Sequence, residues 1–238
     1  MYRAAASFAA LLLALLPQAA LGIVGEITHL AGTVVAHRPD GQTRILQVRS
    51  QVNEGDLLVT VTNTYARLKF TDGAEVVLRP DSQLRINNYV FSETDAAKDN
   101  AVISLLKGGF RSITGLLARR NPARAQYTTP TATIGIRGTH FGALYCSNDC
   151  ANVPSPRGGP PPNGLHVDVA DGRIVVTSQA GSREFSVGQF GYVASPTVLP
   201  VPVPAGQGIR ATLPAQALVV SIRGGTVGRA GDLECVIR

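Results

Sequence analysis

The 238-residue sequence contains no tryptophan, one methionine and three cysteines, and only 5% of its residues are aromatic. Lysine occurs only at positions 69, 98 and 107, so arginine supplies nearly all of the positive charge behind the formal net charge of +6. The arginines are scattered apart from the segment ARRNPAR, and no aromatic residues interleave with them. A nucleic-acid site of the stacking type needs interleaved aromatic side chains. Nucleic acid is therefore not an expected partner.

Long hydrophobic runs are also lacking, with one exception at the N-terminus. The segment MYRAAASFAALLLALLPQAALG carries Arg3, an apolar run from Ala9 to Leu16, and small residues at Ala20 and Gly22. This order is typical of a secretory signal peptide. The uninterrupted apolar core is shorter than the roughly 20 residues that a bilayer-spanning helix needs. We expect a signal peptide over residues 1–22, cleavage after Gly22, and no membrane span in the remaining chain.

The small number of cysteines fits an exported protein. Cys146 and Cys150 bracket the tripeptide SND, and a pair this close in an oxidising compartment favours a local disulfide. Cys235 is then left without an evident partner. His140 lies six residues before Cys146, so a zinc site is the alternative, although it would have three ligands at an unusual spacing.

Helical periodicity is nearly absent after the N-terminal segment, whereas short alternating runs bounded by Gly, Pro, Asn and Asp recur. This pattern predicts a single all-β domain of short antiparallel strands and hairpins, of sandwich, barrel or roll type. The segment ARLKFTDGAEVVL predicts a hairpin centred on Asp72, because that centre pairs Leu68 with Val76 and keeps the apolar side chains on one face. Gly73 would then take the left-handed conformation in the turn.

A second hairpin is predicted in HVDVADGRIVV, with a two-residue turn at Asp171-Gly172. His166 and Asp168 would then face outward. A further turn at Ala180-Gly181 would add a third strand, and the three strands would form a meander.

The rest of the chain divides by composition. Further strands are predicted over residues 32–38, 56–61, 84–88, 102–106 and 132–137. The proline-rich segment 152–164 should be an exposed loop. We expect the all-β domain to cover residues 23–194, a semi-rigid polyproline spacer to cover 195–208, and a C-terminal strand or tail to cover 209–238, with ALVVSIR as its strand candidate.

The segment TPTATIGIRGT predicts a strand in which Ala132, Ile134 and Ile136 share one face. Gly138 would permit a bend or bulge where the strand ends. Arg137 could reach a nearby carboxylate or carbonyl oxygen with several donors. Since nothing beside it supplies a base, nucleophile or metal ligand, we interpret Arg137 as structural.

The sequence offers no positive signature of an enzyme. Its serines have no nucleophile-elbow context, and its glycine pairs match no phosphate-binding loop. We therefore expect no catalytic residues, no cofactor and no metal.

Four blocks occur in a fixed order: EGDLLVT, ARLKFTDGAEVVLRPDSQLRI, LLKGGFRSITG and TPTATIGIRGTHF. Together with the export signal they resemble a FecR domain over residues 24–145. The resemblance implies a periplasmic, all-β module that interacts with other envelope proteins. In the best-known members, such a module relays the state of an outer-membrane TonB-dependent receptor to a sigma factor.

The resemblance also implies architectural roles for the motif residues, which are Gly55, Asp56, Asp72, Gly73, Arg111, Arg137, Gly138 and Thr139. The C-x3-C spacing of the cysteine pair resembles that of some exported relatives, which supports the disulfide. The family's regulators carry a cytoplasmic segment ahead of a single span, whereas here the export signal starts at residue 1. We therefore expect the module to carry over without transmembrane signalling.

The leading hypothesis is a non-catalytic periplasmic module that engages another envelope protein through strand edges and proline-rich loops. The alternative is a carbohydrate or peptidoglycan binder in which Arg119, Arg120 and Arg124 contact an anionic polymer. The identity of the partner, the oligomeric state and the role of Cys235 stay open at this point.

Overall fold

The computed structural model describes residues 22–211. The expected signal peptide, apart from Gly22, lies outside the described residues, as do the strand candidate ALVVSIR and Cys235. Residues 22–211 form fifteen strands, one short α-helix and three short 3-10 helices, which confirms the all-β class. No helix within this range is long and apolar enough to cross a membrane.

The strands, in chain order, are β1 Ile23–Ala31, β2 Val34–His37, β3 Thr43–Leu46, β4 Gln51–Asn53, β5 Leu57–Thr60, β6 Tyr65–Phe70, β7 Glu75–Leu78, β8 Gln83–Val90, β9 Asn100–Ile113, β10 Ala125–Thr128, β11 Thr133–Cys146, β12 Gly164–Ser178, β13 Gly181–Ser186, β14 Phe190–Val193 and β15 Val201–Val203. The α-helix is α1, Leu116–Arg120, and the 3-10 helices are Ala96–Lys98, Pro122–Arg124 and Ala205–Gln207. Each of the five further strands expected from the sequence overlaps an observed strand, namely β2, β5, β8, β9 and β11.

One continuous, open sheet contains all fifteen strands. Its longest strands, β9, β11 and β12, bend in the middle, so that their two halves belong to two different layers of the fold. The first part of β9 pairs with β8 and, in parallel, with β10, whereas its last part pairs with β7 and β11. Gly108 lies between the two parts with a φ of 72°. Because glycine adopts positive φ without steric cost, the strand can bend there.

The strands β11 and β12 bend in the same way. β11 pairs with β10 near its start and with β9 near its end, and Gly138 lies between these parts with a φ of 62°. β12 pairs with β14 before Gly172 and with β13 after it, and the φ of Gly172 is 71°. Three bent strands therefore link the two layers.

Aromatic side chains fill the space between the layers. Phe70 of β6 stacks on Tyr89 of β8 with ring centroids 4.4 Å apart. Phe110 of β9 stacks on Tyr127 of β10 at 4.6 Å, and Phe141 of β11 meets both rings edge-on. Because the stacked rings come from facing layers, the folded sheet packs like a sandwich around one core.

The hairpin predicted at Asp72 is confirmed. β6 and β7 are antiparallel with Leu68 opposite Val76, and Gly73 has a φ of 82°. Both members of this pair are completely buried. The apolar alternation of the segment was therefore sufficient to determine its register.

The hairpin predicted at Asp171-Gly172 is wrong. β12 continues through these residues without reversing, and it pairs with β11 on both sides of them. Two residues of β11, Gly138 and Thr139, lie opposite the single residue Gly172, which makes this position a bulge in a long ladder. The three-strand meander is therefore absent, although a turn at residues 179–180 does lead into β13 as expected.

The outward orientation expected for His166 and Asp168 is also wrong. Their exposed fractions are 5% and 4%. Later parts of the chain cover them: Ala211 N–H donates to Asp168 Oδ1 at 2.9 Å, and the Tyr192 ring lies 4.8 Å from the His166 ring. A two-stranded hairpin would have left this face in solvent.

Two proline-rich segments behave differently. Residues 152–164 form an irregular and mostly exposed loop, as predicted. Within 195–208, however, Val201–Val203 pairs with β14, so this part lies against the sheet and is not a free spacer. Pro202 is compatible with the pairing because β15 is an edge strand. The sheet therefore continues beyond residue 194.

Candidate functional site

Four strands have an unpaired edge. Within residues 22–211, β3 pairs only with β2, β4 only with β1, β13 only with β12, and β15 only with β14. Ile45 of β3 is 71% exposed, and Val201 of β15 is 41% exposed. An edge with free backbone donors and acceptors can accept a strand from another chain. These edges are the candidate docking surfaces.

Asp72 forms hydrogen bonds that connect the β6–β7 turn, β8 and α1. Its carboxylate accepts hydrogen bonds from Ala74 N–H at 2.9 Å, Tyr89 O–H at 2.6 Å and Leu117 N–H at 3.0 Å, and its carbonyl accepts from Leu116 N–H at 3.0 Å. The start of α1 is thereby satisfied by a side chain from the β6–β7 turn. Burial and the Asp72 carboxylate raise the pKa of Tyr89, so its hydroxyl remains a donor. These contacts connect the β6–β7 turn with β8 and the start of α1.

Gly55 and Asp56 form a second motif pair at the start of β5. Gly55 has a φ of 86°, and a Cβ added to it would overlap the Pro39 ring. Asp56 is completely buried and accepts from Asn53 N–H at 2.9 Å and from Arg44 Nη2 at 3.1 Å. These contacts tie the β4–β5 connection to β3.

Arg111 and Asp168 form a buried ion pair across β11. Both lie opposite Gly142 in the sheet, Arg111 on β9 and Asp168 on β12. Arg111 Nη2 donates to Asp168 Oδ2, and Arg111 Nε donates to the Ala211 carbonyl at 3.1 Å. A Cβ on Gly142 would overlap Asp168 Oδ1. The missing side chain of Gly142 therefore lets the ion pair pass over the intervening strand.

The remaining motif residues lie at the bend of β11. Thr139 N–H donates to Thr114 Oγ1 at 2.8 Å, and Thr114 Oγ1 donates to the Thr139 carbonyl at 2.7 Å. Gly138 forms the expected bulge. Arg137 is exposed, and it makes no hydrogen bond or ion pair within the described part of the chain. The contact expected between Arg137 and a carboxylate or carbonyl oxygen is therefore not present there.

The three arginines of ARRNPAR do not form one surface. Arg120 donates to the Asp99 carboxylate from Nε at 2.6 Å and from Nη2 at 2.8 Å, and its guanidinium lies 4.8 Å from the Phe91 ring. The hydrogen bond from Arg120 lowers the pKa of Asp99. Arg119 and Arg124 are exposed. Because Arg120 is held by Asp99, it is not free to contact an anionic polymer.

Cys146 and Cys150 form the predicted disulfide, with their Cα atoms 5.5 Å apart. Both sulfur atoms are therefore bonded, which excludes the zinc site that would have combined them with His140. Within residues 22–211, no cluster of three or more His, Cys, Asp or Glu side chains could hold a metal ion.

The loop after the disulfide borders two adjoining clefts, and Arg79 lies in the wall of both. One cleft has a volume of about 400 Å³ and is lined by Arg79, Arg210, Val153, Pro154, Ser155, Pro156, Ala205 and Gly208. The other has a volume of about 320 Å³ and includes Lys107, Asp81 and Asp149 among its lining residues. The loop after the disulfide therefore lines both clefts, and of these the one that contains Arg79 and Arg210 has no acidic residue among the described residues that line it.

Two functional features escaped the sequence reasoning. Arg79 follows a strand and precedes a proline, and nothing in that pattern indicates a buried guanidinium. His166 and Asp168 alternate with apolar residues as an outward face would. Burial lowers the pKa of His166, whose Nε2 lies 2.8 Å from the Pro162 carbonyl oxygen. For His166 and Asp168, the one signal in the sequence was the length of the β-rich segment on both sides of Gly172, which is compatible with a single long strand.

Comparison with protein families gives one match. The model described as "FecR protein" matches residues 56–154, a range that begins at Asp56 and ends within the proline-rich loop. It covers the Asp72 hairpin, β9, α1 and β11. No curated protein matches this chain.

Comparison with solved structures gives weak likenesses. A structure described as a cell surface anchoring domain has 31% identity, covers 26% of this chain and 82% of its own length, and has a TM-score of 0.26. Two crystal structures of a candidate anti-sigma factor from Parabacteroides distasonis have 13% identity and a TM-score of 0.45. The match covers 62% of this chain and 58% of theirs. These TM-scores are too low to carry an argument about function.

The family match falls on the strands whose motif residues Asp56, Asp72, Arg111 and Thr139 make the contacts described above. Residues 56–154 are therefore a FecR domain.

Proposed function

We propose that this protein is a non-catalytic periplasmic module that docks onto another protein of the cell envelope in sensing, regulation or scaffolding. The FecR domain over residues 56–154 supports a regulatory or sensing role. The observation that carries the docking proposal is the open outer edge of β3 with its exposed Ile45.

Among the open edges, β3 is the one least protected against strand addition. In β4, Asn53 N–H already donates to Asp56 Oδ2, and the Gln51 carbonyl already accepts from Arg44 Nη2. β15 contains Pro202, which lacks a backbone donor, and β13 carries the charged pair Arg183 and Glu184. Such residues are the usual means of blocking an edge. In β3 the single charged residue, Arg44, donates to the buried Asp56 carboxylate. The exposed apolar side chain at this edge is Ile45.

An extended peptide could add to this edge as a further strand. Backbone hydrogen bonds to Thr43–Leu46 would supply affinity, and burial of Ile45 would add an apolar contact. Fully burying an isoleucine side chain is worth about 1.5–3 kcal/mol. Binding of an anionic polymer through Arg119, Arg120 and Arg124 has no comparable support, because Arg120 is paired with Asp99.

The test is an affinity capture from periplasmic extract with the wild-type protein, Ile45→Lys and the matched control Val187→Lys. Val187 is 58% exposed and lies just after β13, so the control adds the same charge away from β3. We expect one envelope protein to be recovered by wild type and by Val187→Lys, and at least tenfold less of it by Ile45→Lys. Equal recovery with Ile45→Lys, or no protein above background with wild type, would contradict the proposal.

Export is tested separately. The protein from a periplasmic fraction should begin at Ile23 when its N-terminus is sequenced. An intact N-terminus in a cytoplasmic fraction would contradict the proposed location while leaving the docking edge untouched.

A further inference from the structure

We propose that Arg79 is the centre of a binding site for a small organic carboxylate, in the cleft beneath the loop that follows the disulfide. This site is separate from the β3 edge, and the proposal does not depend on strand docking. It rests on the geometry of Arg79, on the charges around it and on the chemistry of the cleft walls.

The backbone holds Arg79 in one place. Its N–H donates to the Gly109 carbonyl at 2.9 Å, and its carbonyl accepts from Thr60 Oγ1 at 2.6 Å. The side chain packs against Gly109, since a Cβ added there would lie 3.4 Å from Arg79 Cδ. The same Cβ would overlap the Ala143 carbonyl oxygen at 2.8 Å, so this position requires glycine because of the neighbouring backbone.

The guanidinium of Arg79 is buried and unpaired. Arg79 is 8% exposed, and its Nε and Nη1 atoms are buried without a hydrogen-bond acceptor in the described part of the chain. Buried arginines are almost always paired, because an unsatisfied charged donor is costly. Burial lowers the pKa of Arg79, but arginine keeps its charge in proteins. An anion that enters the cleft would remove this cost.

The neighbouring carboxylate, that of Asp168, already accepts hydrogen bonds from other groups. Arg79, Arg111, Asp168 and Tyr65 interact electrostatically. Asp168 accepts from Arg111 Nη2 with one oxygen and from Ala211 N–H with the other. The cluster therefore contains two guanidinium groups and one carboxylate, which leaves one positive charge in excess.

The cleft supplies a second cation and apolar walls. Arg210 lines it, with its guanidinium 5.2 Å from the Phe190 ring, and Val153, Pro154 and Pro156 contribute apolar surface. Its volume of about 400 Å³ lies within the range of small-molecule sites, about 300–1,000 Å³. The adjoining cleft contains Asp81 and Asp149, which would repel an anion. The ligand is therefore assigned to the cleft lined by Arg210.

A carboxylate fits these walls better than phosphate. A guanidinium binds a planar carboxylate through two parallel hydrogen bonds. A carboxylate carries one negative charge, which the unpaired Arg79 guanidinium balances, and an attached apolar group could contact the valine and prolines. A phosphate dianion has no apolar group, and of the two cations in the cleft only Arg79 is buried, because Arg210 is exposed and remains hydrated.

The experiment is a titration of the exported protein with sodium benzoate, benzamide and sodium phosphate at constant ionic strength, followed by NMR. We expect benzoate to shift the Arg79 Nε–H resonance and the backbone amides of residues 153, 155 and 208–210 along saturating curves. Benzamide has the same ring without the charge and should give no saturating shift. Because this measurement uses the wild-type protein, it does not depend on the folding of any variant.

Three variants then test the residues. Arg79→Gln should weaken benzoate binding at least tenfold, and Arg210→Gln should weaken it by a smaller factor. Arg119→Gln removes the same charge from an exposed position outside the cleft and should leave the affinity unchanged. Absence of a saturating benzoate shift, equal shifts with benzamide, phosphate binding without benzoate binding, or an unchanged affinity in Arg79→Gln would each overturn the proposal.

Discussion

The dipeptide Asp-Gly occurs at residues 40–41, 72–73 and 171–172, and the chain reverses at the first two places but not at the third. The last two are compared because the sequence predicts a hairpin centred on each of them. At residues 72–73, the Asp72 turn, β6 ends and β7 returns beside it. At residues 171–172, the Gly172 bend, β12 continues in the same direction. Both glycines have positive φ, 82° and 71°. The backbone angle is therefore not what distinguishes the two sites.

The surroundings differ. Asp72 is 8% exposed and its carboxylate accepts three hydrogen bonds, whereas Asp171 is exposed. A Cβ on Gly73 would meet no atom within 4 Å, but a Cβ on Gly172 would overlap the Gly138 carbonyl oxygen. The Asp72 turn is therefore held by a side chain, and the Gly172 bend is held by a neighbouring backbone.

This difference shows that turn chemistry permits a reversal without imposing one. At the Gly172 bend, β11 continues as a partner on both sides and has a matching bulge at Gly138. A continuous ladder keeps backbone hydrogen bonds that a hairpin in β12 would have lost. The long-range partner therefore overrides the local signal.

The largest expected effect is loss of the side chain that holds the Asp72 turn. Asp72→Ala removes three acceptor contacts and leaves the buried Tyr89 hydroxyl and Leu117 N–H unpaired. We expect the free energy of unfolding to fall by at least about 3 kcal/mol, because two buried donors each lose a hydrogen bond to a charged group that is worth about 1.5–3 kcal/mol. Urea denaturation measures this.

Asp171→Ala is the matched control for that substitution. An exposed residue without such contacts should change the stability by less than about 0.5 kcal/mol. Equal losses in the two variants would show that the contrast between the Asp72 turn and the Gly172 bend does not lie in the aspartates.

The next largest loss of stability is expected from replacing the glycines. Here the substitution at the Gly172 bend should cost more than the one at the Asp72 turn, which is the reverse of the order expected for the aspartates. Gly172→Ala should cost about 2–3 kcal/mol, because left-handed strain of about 1–2 kcal/mol adds to a clash with the Gly138 carbonyl. Gly73→Ala carries the strain alone and should cost about 1–2 kcal/mol. Denaturation of both variants gives the comparison, and a greater loss for Gly73→Ala would refute it.

Loss of the disulfide should destabilise the β11–β12 ladder, which contains the Gly172 bend, and not the Asp72 turn. Cys146 lies opposite Gly164 at the far end of the β11–β12 ladder. Cys146→Ser with Cys150→Ser should cost no more than about 2 kcal/mol, because the closed loop is short. Hydrogen exchange should rise at residues 164–169 and stay unchanged at the Asp72 turn. Mass spectrometry without reductant checks the bond itself, and alkylation of both thiols would contradict it.

The smallest effect is expected from the hydroxyl that supports the β11 bend. Thr114→Val keeps the shape of the side chain but removes its exchange of hydrogen bonds with the Thr139 backbone. We expect a loss of about 1–2 kcal/mol. Thr177→Val, at an exposed hydroxyl pair with Ser182, serves as the control and should be nearly neutral. Similar values for the two variants would mean that the bend does not depend on Thr114.

The successful predictions concern features that depend on neighbours in the chain. The register of the Asp72 hairpin follows from apolar alternation over residues 66–78, and the Cys146–Cys150 disulfide follows from a spacing of four. The burial of Ala132, Ile134 and Ile136 on one face is confirmed for the same reason. Each of these features needs only local geometry.

The failed predictions concern side chains whose surroundings come from distant segments. Asp168 lies in an alternating pattern that indicates an outward face, but β11 places it beside Arg111, and Ala211 covers it from the end of the described chain. Arg120 was grouped with Arg119 and Arg124 because they are close in sequence, whereas Asp99 pairs with it in space. Arg79 had no local signature at all.

The sequence by itself determined the strand-forming alternation, the positions where glycine permits positive φ, the short disulfide and the resemblance to the FecR family, because all of these depend on residue type and spacing. The tertiary structure decided at which Asp-Gly dipeptides the chain reverses, which strand edges stay open, and which arginines are paired. Those outcomes depend on which backbone lies opposite each residue, and that is settled by packing between segments far apart in the chain.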